Sequence, residues 1–184
     1  MSEIKRQTVA VFCGSKTGSL PLYAEGASRL GVLLGTSGFD IVYGGSDKGL
    51  MGSLANSAMA NGASVTGVIP KVLIAWEHQH NGLTNLIVTE DMHQRKKTMY
   101  EMGMAAIVMP GGFGTLDEMF EMLTWNQLSI HNKKIYILNI DGFYTHLINH
   151  FQLMKEKGFL YDLPSERVTM HTTPESLIEE LVKG

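Results

Sequence analysis

Three glycine-rich turns and two charged residues carry the chemistry that this sequence can support. The turns are Cys13-Gly14-Ser15, Gly44-Gly45-Ser46 and Pro110-Gly111-Gly112-Phe113-Gly114-Thr115. Each follows a short apolar run, and the third leads into a helical pattern. Glycine has no Cβ, so the backbone can approach a ligand closely. A helix start offers unpaired N–H groups and about half a positive charge. A phosphate, carrying about −1.5 to −2 charges, fits such a place. No Lys follows the last Gly as a Walker A loop requires, and the spacing is not G-x-G-x-x-G. One Gly-Gly-x-Gly alone is most simply a tight strand-to-helix connection. Three glycine turns at one sheet edge point instead to an anion-binding rim built from Gly14, Ser15, Gly44, Gly45, Gly111, Gly112, Gly114 and Thr115.

Glu118 has two readings. Thr115-Leu116-Asp117-Glu118 matches a capping box, with Thr at the N-cap and Glu three residues on. The same Glu falls beside the proposed phosphate loop and shares a helix face with Met122 and Trp125. Leu116, Met119, Phe120 and Leu123 occupy the opposite face, and a helix apolar on two faces is buried on two sides. The expectation is that the face of Glu118 meets a second subunit across a shared pocket. Arg95 also has two readings. Met92, Arg95, Met99 and Met102 recur at helical spacing, with Asp91 or Gln94 as cap. Arg95 therefore either packs its stem and sends its head to water or aims its guanidinium at a phosphate or ribose oxygen. Lys96 and Lys97 point away from this stripe and read as a solvated face that adds positive potential. His78 and His80 lack a third metal ligand, Cys13 lacks a base, and Asp47 and Lys48 read as turn residues.

The elements that must position these groups alternate. The strand expectations are Thr8–Cys13, Asp40–Tyr43, Val65–Ile69, Asn85–Thr89, Ala105–Met109, Ile135–Asn139 and Arg167–His171. Several are apolar throughout, as strands covered on both faces are. Helical patterns fill most gaps. Tyr23, Ala27, Leu30 and Leu34 line one face of the first, with Ser19 as N-cap and Gly35 or Gly38 at its end. Met51, Leu54, Ala55, Ala58 and Met59 mark another that Gly62 closes. A last helix follows Pro174. This pattern predicts an α/β fold: a Rossmann-like, doubly wound, mainly parallel sheet of about seven strands flanked by helices, in one domain over residues 1–184. Ligands of such sheets sit beyond the carboxyl ends of the strands, where the glycine turns fall.

Composition narrows the function. A net charge of −3 and a pI near 6.1 supply no basic stripe for nucleic acid. No stretch reaches the ~20 apolar residues of a membrane span, and Val9–Cys13 is too short for a signal peptide. The chain has one Cys and hence no disulfide framework, which points to the cytoplasm.

Taken together, Phe12-Cys13-Gly14-Ser15, Val42-Tyr43-Gly44-Gly45, Gly49-Leu50-Met51-Gly52, Gly67-Val68-Ile69-Pro70, Met92-His93-Gln94-Arg95-Lys96, Pro110 through Glu118, and Thr124-Trp125-Asn126-Gln127-Leu128 resemble the LONELY GUY (LOG) family. These are cytokinin riboside 5′-monophosphate phosphoribohydrolases, many formerly labelled lysine decarboxylases. The likeness spans nearly the whole chain. It implies hydrolysis of the N-glycosidic bond of an adenosine 5′-monophosphate, releasing free base and ribose 5-phosphate. It implies Arg95 and Glu118 as the catalytic pair, Gly111 to Thr115 as the phosphate loop, and Met92 and Lys96 as further substrate contacts. It also implies a homodimer or larger assembly, with neither a cofactor nor a metal. Ser46 stands where the family usually has a third Gly, Phe113 where it has a Tyr, and Met104 where it often has an acid. Two other functions share the fold in principle: a nucleotide- or cofactor-binding carrier that releases no base, and a lysine decarboxylase, which needs a pyridoxal phosphate Schiff-base Lys.

Overall fold

In the computed structural model, residues 6–74, 79–160 and 167–183 are described. Seven parallel strands form one sheet: β1 (Gln7–Phe12), β2 (Phe39–Tyr43), β3 (Val65–Pro70), β4 (Asn85–Thr89), β5 (Ala106–Val108), β6 (Ile135–Leu138) and β7 (Val168–His171). Their order is β4-β3-β2-β1-β5-β6-β7. Every expected strand is present, with ends that move by a residue. β1 pairs with β2 on one side and β5 on the other, so the strand order reverses between β1 and β5. A crevice opens at that switch point because connections leave in opposite directions.

The helices are α1 (Pro21–Thr36), α2 (Gly49–Ala60), α3 (Lys71–Ile74), α4 (Met92–Met102), α5 (Phe113–Gln127), α6 (Thr145–Glu156) and α7 (Pro174–Lys183). α1, α2 and α7 pack on one face through Ala27, Leu30, Leu34, Leu54, Ala58 and Leu177, against Val9, Val11, Ile41 and Ile107. α4, α5 and α6 cover the other through Met99, Tyr100, Met119, Met122 and Ile148, against Ala10, Phe12, Val42 and Val108. The central strands lie between two apolar layers, which explains their unbroken apolar runs.

Two expected caps are corrected. α1 begins at Pro21 with Leu20 as N-cap and no side-chain cap, so Ser19 does not cap it. Proline's fixed φ already suits the first helical position. α5 begins at Phe113, with Gly112 as N-cap, so the Thr115–Glu118 capping box does not form. The amide of Leu116 already bonds the carbonyl of Gly112 at 3.1 Å. Thr115 therefore sits inside the first turn, and Glu118 is one turn deeper than expected. At α4 the expectation holds, since the carboxylate of Asp91 accepts from the amide of Gln94 at 2.8 Å. Gly38 and Gly62, just past α1 and α2, both adopt positive φ.

Candidate active site

The turns after β1 and β5 are stitched together. The amide of Gly14 donates to the carbonyl of Pro110 at 3.1 Å, and the carbonyl of Gly14 accepts from the amide of Leu50 at the start of α2. Close approach leaves no room for side chains here. A Cβ on Gly111 would lie 2.1 Å from Thr115 Oγ1 and 3.0 Å from the amide of Gly14. These turns wall a cavity of about 510 Å³, lined also by Ser15, Lys16, Met51, Thr115, Arg95 and Glu118. α5 opens into it without a side-chain cap, so its first amides are available to an anion. Gly112 and Gly114 face open space at this mouth.

Arg95 reaches the cavity from α4. Its Nε donates to the carbonyl of Val68 at 3.0 Å, and its Nη2 to the carbonyl of Gly44 at 3.3 Å. Strand β3 and the turn after β2 thus hold the guanidinium, and its Nη1 faces Glu118 Oε1 at 3.4 Å. The two side chains are only 7% and 8% exposed. The snorkelling alternative for Arg95 therefore fails, because burial would strand a charge without these partners. Among the described residues lining the cavity, Glu118 is the carboxylate. Its backbone carbonyl accepts from the phenol of Tyr100 at 3.0 Å. Burial, followed by the negative charges of Glu121 and Glu118, pushes the Tyr100 phenol far up, so it stays a hydroxyl donor. Cys13 lies in the cavity wall. Burial first, then the charge of Glu118, drives its thiol far up, which leaves it protonated and non-nucleophilic.

The structure places the remaining expected residues as follows. Gly14, Ser15, Gly111, Gly112, Gly114 and Thr115 line the cavity. Gly44 supports Arg95 rather than lining it. Gly45 has φ +83° and receives the amide of His80 on its carbonyl at 3.0 Å. Met92 is half-buried at the start of α4, outside the cavity wall. Lys96 departs most from expectation. It is buried, not solvated, and its Nζ lies 3.0 Å from Asp117 Oδ2 and 3.2 Å from Glu121 Oε2. Burial by itself would lower this ammonium; the bonds to Asp117 and Glu121 outweigh burial and hold it above the ordinary lysine value. Lys97 is exposed. His80 bonds Asn56 and the amide of Gly82, and His78 lies outside the described residues.

The face of α5 expected to meet a second subunit is turned inward. Glu118 and Met122 are buried and Trp125 is half-buried, while Phe120 is 40% exposed. Sequence reasoning also missed Tyr100, Asp117 and Glu121. The signal available was two acids at i, i+4 on a mostly apolar helix, which calls for a buried cation.

A Schiff-base lysine does not fit this site. Lys16 lies on the rim and is exposed. Lys96 is locked between two carboxylates and raised, whereas an amine nucleophile needs a lowered pKa. Among the described residues, no group of three or more His, Cys, Asp or Glu is arranged to hold a metal ion, and no helix is long and apolar enough to cross a membrane.

The fold and site define a doubly wound α/β protein with a glycine-walled pocket beside a buried Arg–Glu pair. The family described as possible lysine decarboxylase matches residues 51–181. The cytokinin riboside 5′-monophosphate phosphoribohydrolase of Rhodococcoides fascians is 43% identical, over 88% of this chain and 82% of that protein. The Arabidopsis thaliana enzyme of that name, LOG3, is 37% identical over 98% and 84%. The chain belongs to this family, the LOG family. Among solved structures, the molybdenum cofactor binding protein of Rippkaea orientalis superposes with a TM-score of 0.73 at 20% identity, covering 98% of both chains. The molybdenum cofactor carrier protein of Chlamydomonas reinhardtii does so with 0.74 at 17%, covering 97% of this chain and 98% of that one. At these identities the likeness is one of fold.

Proposed function

We propose that this chain is a phosphoribohydrolase that cleaves the N-glycosidic bond of N6-modified adenosine 5′-monophosphates, as its curated relatives are named for doing. The observation that carries this reading is the buried Arg95–Glu118 pair, 3.4 Å apart, in the same cavity as the uncapped start of α5. The phosphate docks on the first amides of α5 and the turn at Gly14, where the helix dipole favours an anion. Glu118 then lies beside the sugar. As the C1′–N bond breaks, its electron pair leaves with the base and positive charge grows on the ribose. The Glu118 carboxylate stabilises that charge and orients the water whose oxygen bonds to C1′. The attacking water gives up a proton to solvent as its oxygen bonds to C1′; Glu118, as a carboxylate, is a poor general acid, so the departing base takes its proton from water or another group. Arg95, anchored on two carbonyls, fixes the carboxylate and offers its remaining N–H groups to a phosphate or ribose oxygen. Orientation of this kind is worth about 7–11 kcal/mol of barrier.

The test is chromatography of AMP and N6-prenylated AMP after incubation with the purified protein. Free base from the wild type, with nucleotide binding but no base release from Glu118→Ala, is the expected result. Intact nucleotide with measurable binding by the wild type would make the protein a carrier instead.

We further infer self-association. Phe120, Leu128 and Ile130 are 40%, 66% and 60% exposed on α5 and the turn that follows it, apolar surface of the kind a second copy covers.

A further inference from the structure

We propose that Lys96 and Tyr100 are positioning residues, a latch that holds α4 against α5 so that Arg95 and Glu118 meet at the cavity. The inference rests on the phosphoribohydrolase reading and adds to it two residues that touch no substrate. All the contacts in question run from residues 95–100 of α4 to residues 117–121 of α5. Arg95 faces Glu118 at 3.4 Å across the two helices. One residue along α4, Lys96 Nζ sits between Asp117 and Glu121. These two acids flank Glu118 on its own helix. One turn further, the Tyr100 hydroxyl donates to the backbone carbonyl of Glu118 itself. Glu118 is therefore fixed through its side chain by Arg95, through its backbone by Tyr100, and through its neighbours by Lys96.

Two facts argue for placement rather than contact with substrate. Lys96 is not among the residues lining the cavity, and its ammonium is already engaged by two carboxylates. The Lys96 side chain is 8% exposed, against 54% for Asp117 and 23% for Glu121, so the buried charge is the ammonium. What the pairing supplies is register, because a slipped helix would leave that buried ammonium without its carboxylates. A slip of α4 against α5 would separate Arg95 from Glu118 by the same amount.

The experiment measures kcat, KM and melting temperature for wild type, Tyr100→Phe, Lys96→Met and Lys96→Arg on an N6-modified adenosine monophosphate. A shift of about 1 Å at a reacting group costs on the order of a hundredfold in rate, and partial loosening about tenfold. Tyr100→Phe is expected to lose about tenfold in kcat and Lys96→Met about a hundredfold, each with KM within about twofold. Lys96→Arg, which keeps the cation between Asp117 and Glu121, should recover part of kcat. If Lys96→Met does not fold, Tyr100→Phe decides alone. Wild-type kcat in Tyr100→Phe, or a raised KM at unchanged kcat in Lys96→Met, overturns the latch. A wild type that releases no base overturns the proposed function, and the catalytic role of the latch with it.

Discussion

Gly44 offers a direct test of how far turnover depends on the placement of Arg95. A methyl group there would lie 2.3 Å from Arg95 Nη2 and 3.0 Å from Met51 Sδ. Both atoms end flexible side chains. Gly44 is not among the glycines with positive φ, so its backbone accepts alanine. The strain of Gly44→Ala therefore falls on the guanidinium rather than on the sheet. Ordinary contact begins at 3.4 Å, so the guanidinium must retreat by about 1 Å, a misplacement that costs on the order of a hundredfold in rate. In barrier height that is about 2.7 kcal/mol. Retreat also stretches the 3.3 Å bond to the carbonyl of Gly44 and turns Nη1 off the axis on which it meets Glu118.

The assay is the time course of base release by Gly44→Ala, run beside a thermal melt and a titration with nucleotide. The expected variant is folded, binds nucleotide through the α5 amides, and turns over about a hundredfold more slowly than wild type. A folded Gly44→Ala protein with kcat within about twofold of wild type would refute the reasoning, since Arg95 cannot keep its present position beside a methyl group.

Two further outcomes follow from the surface and from one half-buried histidine. Light scattering should give at least twice the 20.3 kDa of one chain, and Leu128→Lys with Ile130→Lys should bring it back to one; a monomer at all concentrations would remove self-association. His131 is held below its ordinary 6.5, first by burial and then by the charge of Lys133. The unfolded chain therefore binds the proton more readily, and stability is lost as pH falls from about 6.5 toward the lower folded value. The melting temperature of wild type should fall across that window, and His131→Asn should flatten the slope whatever it does to absolute stability.

The parts of the site that were legible in the sequence are those made within one stretch of chain. Val9–Phe12, Ile41–Tyr43 and Ile135–Leu138 read as strands because both sheet faces are covered, and burial on both sides writes itself as an unbroken apolar run. The turns at Gly14 and Gly111 read as ligand loops because close backbone approach demands glycine locally. Glu118 lies in the cavity wall, one turn deeper in α5 than its local pattern implies. Glycine is disfavoured inside a helix, so the pattern points to a start after Gly114, at Thr115, whereas α5 includes Gly114 in its first turn. Other features required two elements at once. Gly31 in α1 looks like a weak helix residue, yet a Cβ there would lie 2.5 Å from the carbonyl of Leu54 and 2.9 Å from the amide of Ala58 in α2. Its smallness is a property of the α1–α2 contact. Lys96 is the same case in electrostatic form. A lysine beside an apolar stripe defaults to solvent, and its partners stand 21 and 25 positions away on another helix. The periodicity of α4 shows which way Lys96 points but not what waits there, and only the charges on α5 turn that direction from exposure into burial. An Arg–Glu pair split between two helices therefore depends on residues that each helix, taken singly, marks as surface.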